Sequence, residues 1–322
     1  MAIVPAIPNI RLTANSKSAN TKVSTAARTG TAYQRGERKC GRMILGYTTA
    51  VHRGEFAGGF TAGKLTAVNP LVYKRTRMSQ AATAITRSPA DVVRMTPVSQ
   101  AANGVCYATS GENSIGSIDL ERMIVAVPAK IASALKRKAY YFVPLTVSHG
   151  DETLIADRYD VALSDNAVCH RNLNLGDSQC VFISTRLSDD KFSVSFEFYI
   201  NVGHALVEVA GVSREFSDLA WKQVEAGVRG ETSLDAWESR KLVTAGGPDV
   251  ERYRNEYFEA TFADTISIYL LSLFLDLDYH DLRERDYPLL APSALAERLR
   301  KIAELFPPNP GFEFSILYKR RS

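Results

Sequence analysis

Residues 13–42 contain almost no large apolar side chain, Val23 and Tyr33 excepted. A stretch made of Ser, Thr, Asn, Ala, Gly, Lys and Arg cannot bury enough surface to offset the entropy of fixing its backbone. The core of this 322-residue chain must come from the residues that follow, and they are numerous enough to build a substantial one. Residues 1–42 are therefore expected to form a flexible arm without stable secondary structure in the free protein.

The same stretch carries most of the electrostatic information. Residues 1–90 hold fourteen Lys or Arg and two acids, Glu37 and Glu55, a net of +12. Residues 91–322 hold 25 basic and 33 acidic residues, a net of −8, so the overall +4 conceals a strong segregation. Eight cations lie along the arm: Arg11, Lys17, Lys22, Arg28, Arg35, Arg38, Lys39 and Arg42. Spread cations on a flexible chain follow phosphates without reading bases. These eight are the expected nucleic-acid contacts, independent of base sequence. The alternative is that they pair with the acidic body of the same or a neighbouring chain.

The first eight residues, broken by Pro5 and Pro8, do not read as a signal peptide. No window approaches the ~18 apolar residues of a membrane span. The expectation is a protein that is neither secreted nor membrane-bound. Cys40, Cys106, Cys169 and Cys180 lie far apart without a CxxC pair, which favours reduced, buried thiols over disulfides or zinc.

From Met43 onward short β-branched and aromatic runs alternate with Gly, Pro, Asn and Ser. Strands are expected at 44–51, 65–74, 105–109, 122–127, 139–147, 153–163, 179–187, 192–200 and 205–212. In 192–200 the large apolar residues fall on alternate positions, placing Phe196 inward and Ser195 and Glu197 outward. Asn201-Val202-Gly203 reads as the following turn, with His204 just after it. The Ala-rich run 79–85 is a candidate short helix ahead of Ser88-Pro89.

After Gly211 the period becomes helical. Ser217 or Asp218 caps a helix running to Val228, and Thr232-Ser233 opens a second that reaches Leu242. A third spans 249–277, with Glu259 and Asp264 on its polar stripe, and Pro292-Ser293 opens a fourth that ends before Pro307. Residues 312–318 form a final strand. The predicted fold is α+β: an antiparallel β-sandwich or jelly-roll-like core with a helical C-terminal region. The expected divisions are 1–42 arm, 43–213 β-rich core and 214–322 helical region, the last two within one domain or separate.

The catalytic motifs are weak. Gly58–Lys64 satisfies the GxxxxGK spacing of a phosphate loop, but Leu65 stands where Ser or Thr should hold Mg²⁺, and Pro70 stops the helix that should follow. Asp276, Asp278, His280 and Asp281 read as a solvated helix end more readily than as metal ligands. His149 with Asp151, and His170 beside Cys169, lack a nucleophile-elbow setting. Tyr140-Tyr141-Phe142, and Phe196 with Phe198, read as core and not as a base-stacking platform. No catalytic residue, metal or cofactor is expected.

A basic arm, a β-sandwich and an acidic remainder resemble the plan of icosahedral-virus coat proteins. That resemblance implies an arm facing packaged genome, self-association into a shell, and a location in a virion or host cytoplasm. Leu154-Ile155-Ala156-Asp157-Arg158 followed by the run 192–200 also resembles plant-virus movement proteins. Three classes follow: a non-enzymatic assembly protein, a nucleic-acid-binding module of a transport or ribonucleoprotein complex, and an enzyme with a dispersed site.

Overall fold

A computed structural model describes residues 9–13, 84–148, 152–159, 169–176, 178–186, 190–282 and 286–319, all within one compact unit. Strand β1 (Asn9–Thr13) is followed by β2 (Thr86–Arg87), helix α1 (Pro89–Met95), β3 (Ser99–Gln100) and β4 (Cys106–Thr109). Helices α2 (Ser117–Val125) and α3 (Ala129–Ala132) lead to β5 (Lys138–Val143), β6 (Leu145–Val147) and β7 (Thr153–Ala156). Strands β8 (His170–Leu175) and β9 (Ser178–Ser184) precede the helices α4 (Lys191–Ala210), α5 (Arg214–Glu225), α6 (Leu234–Ala245) and α7 (Val250–Phe274). Strand β10 (Leu277–Asp278), helix α8 (Pro292–Leu305) and β11 (Ser315–Lys319) complete the order.

The main sheet runs β3-β4-β5-β9-β8; its inner pairs β4/β5 and β5/β9 are parallel and its outer pairs antiparallel. A parallel pair needs a crossover, and α2 and α3 supply the one between β4 and β5. The expected strand 122–127 accordingly lies in or just after α2. Both faces of β5 are covered, so it reads as an unbroken apolar run instead of an alternating one. Tyr141 and Val143 pack with Val92, Ala108, Ile155 and Phe182 on one face. On the other, Tyr140 and Phe142 meet Phe198 of α4 at ring-centre distances of 5.0 and 5.8 Å.

The protein is thus a mixed helix-and-sheet body. The described strands form three open sheets and do not build the expected antiparallel sandwich. Two of the strands needed for it, 192–200 and 205–212, are one twenty-residue helix, α4. Asp190 caps α4 by accepting from the Phe192 amide at 3.0 Å, and Gly211 ends it at φ 69°. Ser195 is fully buried and donates to the carbonyls of Lys191 and Phe192, so its expected outward position is corrected; Phe196 is buried as expected. Alternation fails as a strand signal here because most of α4 between Ser193 and Leu206 is buried, Glu197 and His204 excepted, so apolar residues fall on several faces of the helix.

Elsewhere the expected elements occur with shifted ends. Strands β4, β5 with β6, β7 and β9 occupy the predicted positions, Pro144 separating β5 from β6. The four C-terminal helices and the closing strand are present, with Ser233 capping α6 through the Ala236 amide. Helix α1 begins at Pro89, after a Ser88 cap, and not within 79–85 as far as that run is described. The expected strands 44–51 and 65–74 lie outside the described residues. No helix among the described residues is long and apolar enough to cross a membrane. Cys106, Cys169 and Cys180 form no disulfide, and Cys169 is exposed, contrary to the expectation of buried thiols throughout.

Candidate functional site

Of the eight arm cations, Lys17, Lys22, Arg28, Arg35, Arg38, Lys39 and Arg42 lie outside the described residues. Arg11 does not lie in an unstructured arm. It is a residue of β1, in register with Asp278 of β10 on one side and Leu317 of β11 on the other. The expectation of an arm without secondary structure is therefore corrected at Asn9–Thr13. The basic segment 14–83 joins β1 at one end and the main body, from Ala84, at the other.

The weaker sequence candidates separate in the same way. Residues 58–64, His149 and Asp151 lie outside the described residues. Asp157 is a structural tie: its Oδ1 accepts from the Ile85 amide at 2.9 Å and its carbonyl from the Glu112 amide at 2.8 Å. Asp281 accepts from the Asp278 amide at 2.9 Å in the turn after β10, and no group of three metal-capable residues occurs among the described residues. The aromatic run 140–142 and Phe198 are core, as read.

The densest polar chemistry was not legible as a motif. Gly230, at φ 87°, brings the loop before α6 against the loop before α8, where Glu231 bridges Leu289 in parallel. Glu231 is fully buried there, and three groups converge on it. Arg298 Nη1 donates to its Oε2 at 2.8 Å, while Arg240 Nη1 and the Tyr257 hydroxyl donate to its Oε1 at 2.9 and 3.0 Å. Arg298, also fully buried, donates further from Nε to Gln223 Oε1 at 2.8 Å and from Nη1 to Thr261. Buried ions cost several kcal/mol each to desolvate, and only this density of partners offsets it.

The network continues through α7. Thr232 donates to Asp264 Oδ2 at 3.0 Å, and Asp264 is buried, not on the polar stripe expected for it. Burial lifts its pKa to about 7; the Ser233 and Thr232 hydroxyls oppose the rise, and Asp235 and Glu231 add to it. Nearby, Glu197 of α4 holds the His170 Nδ1. His204 is an exposed residue, yet the protein packed around it lowers its pKa, with His170 as the second cause. His204 is thus a helical residue of α4, not part of a turn.

Two features of the sequence mark this cluster. Arg298 occupies the apolar stripe of α8 with Leu295, Leu299 and Ile302, and Asp264 interrupts an otherwise uncharged run in α7. A charge on an apolar face requires a partner, but sequence does not name one 67 residues away. A groove of about 260 Å³ lies elsewhere, lined by Trp221, Lys222, Arg254 and Phe258 among others, with the Arg254 guanidinium 4.3 Å from the Trp221 ring centre. It includes none of the Asp264 network.

No protein-family model matches the sequence, and no curated protein is significantly similar to it. The functional reading rests on the chain's own chemistry.

Proposed function

We propose that the protein is a non-enzymatic assembly protein whose basic N-terminal quarter holds nucleic acid through its phosphates, without base preference. The observation that carries this reading is the segregation of charge, +12 over residues 1–90 against −8 over the remainder. An acidic body repels phosphate, so attraction is confined to the basic segment. A shell of many copies around packaged genome, in a virion or host cytoplasm, is the arrangement that a basic arm on an acidic body resembles, a likeness that rests on the charge plan and not on a β-sandwich. The buried Arg298–Glu231–Asp264 network acts as a structural fastening in this reading.

The test keeps β1 intact, because Arg11 belongs to a sheet. Lys17, Lys22, Arg28, Arg35, Arg38, Lys39 and Arg42 are replaced together by Gln, and affinity for a random oligonucleotide is titrated against salt. The expected result is loss of most of the affinity and of its salt dependence, with the circular dichroism spectrum unchanged. Unchanged affinity would remove the segment from the binding account.

A further inference from the structure

We propose that β1 is an exchangeable strand: the slot between β10 and β11 takes Asn9–Thr13 of a second copy of this chain, and copies are joined by that swap. Strand β1 is the middle strand of its sheet. It pairs antiparallel with β11 over five residues, from Asn9 opposite Lys319 to Thr13 opposite Ser315. On its other side it pairs antiparallel with β10 at Arg11–Asp278 and Leu12–Leu277. Strands β10 and β11 are neighbours only through it. An empty slot leaves β11 with an unpaired edge on this side, which is a template for another strand. The slot therefore demands a strand of this sequence without specifying which copy supplies it.

Chain length makes the second copy accessible. Seventy residues separate Thr13 from Ala84. Fully extended they reach about 240 Å, against a radius of gyration of about 18 Å for a globular body of the size of 84–322. They carry twelve cations and two acids, a net of +10. The contacts made in the swapped and unswapped forms are the same, so concentration decides between them. Exchange thus becomes favourable when the concentration of copies exceeds the effective concentration of a strand at its own slot, on the order of millimolar for covalently linked partners.

The inference does not depend on nucleic-acid binding, and the experiment contains none. One full-length chain carries a benzophenone amino acid in place of Ile10, which is opposite Tyr318 in register. A second, unmodified full-length chain is labelled with ¹⁵N. The two are unfolded together, refolded at ~1 mM, irradiated, and digested for mass spectrometry. The expected product is a cross-link from the modified chain to the ¹⁵N-labelled peptide containing 315–319, in yield approaching the unlabelled one, and falling at least tenfold when refolding is done at micromolar concentration. Cross-links confined to unlabelled β11 at both concentrations would overturn the proposal. Cross-links to neither peptide, with a second probe at Leu12 giving the same result, would overturn it as well by removing β1 from the slot.

Discussion

Glu231 and Arg298 are both fully buried, but they are not equivalent. Removing Arg298 leaves Glu231 with Arg240 at 2.9 Å, whereas removing Glu231 strands two cations, one of them wholly enclosed. Glu231→Gln is expected to cost about 3–5 kcal/mol, and Arg298→Met less, as read by urea denaturation. Equal losses would mean that hydrogen bonding, not charge balance, dominates the cluster. Asp264 gives the pH dependence. Its folded pKa, about 7, lies above that of an unfolded aspartate, so the folded state binds the extra proton. Its contribution is therefore fullest below pH ~4 and is lost as pH rises toward 7, amounting to roughly 4 kcal/mol over that window. Asp264→Asn keeps an acceptor for Thr232 and removes the titration. The variant should gain stability on the wild type between pH 5 and 8 in parallel thermal melts, and a constant difference would show that Asp264 does not titrate there.

At the scale of elements, α4 and α7 approach through Gly203. A Cβ at that position would stand 2.5 Å from the Ala263 carbonyl oxygen and 3.0 Å from Ser267 Oγ. Ser267 holds the same crossing by donating to the Tyr199 carbonyl at 3.1 Å. Ala would gain about 1 kcal/mol of helix propensity over Gly, but backbone cannot yield as a side chain can. Gly203→Ala should therefore be destabilising by about 1–3 kcal/mol, while Gly→Ala at Gly104 meets only its positive φ and no neighbouring atom. Thermal denaturation of both variants separates crowding from backbone strain. Asn201-Val202-Gly203 has turn chemistry in sequence, yet these residues lie inside α4. The glycine serves the neighbouring helix. Strand β8 likewise carries no local signal: His170-Arg171-Asn172 is polar, and its pairing comes from β9. Pro292, Ser233 and the Pro307-Pro308 pair were informative because their signals act within one turn of chain.

At the scale of the whole molecule, the segregation of +12 over residues 1–90 from −8 over residues 91–322 predicts how nucleic-acid binding responds to salt. If the seven cations from Lys17 to Arg42 are all engaged on a duplex, log K should fall against log salt with a slope of about −6, and less steeply on single strands. A slope near zero in the unmodified protein would place any affinity outside the phosphate contacts. By itself the sequence determined this charge segregation, the apolar-poor composition of residues 13–42, and the presence of the C-terminal helices, although α5 opens after Ser213 and not at Ser217 or Asp218. All three depend on composition or on residues close together in the chain. Only the tertiary structure decided that 192–210 is a helix, because burial on several faces at once, and not periodicity, selects between helix and strand there. It alone paired Glu231 with Arg298, and it alone placed β1 between two strands from the far end of the chain. Both are contacts between distant segments, and burial energy is a property of the partners brought together, which no local pattern encodes.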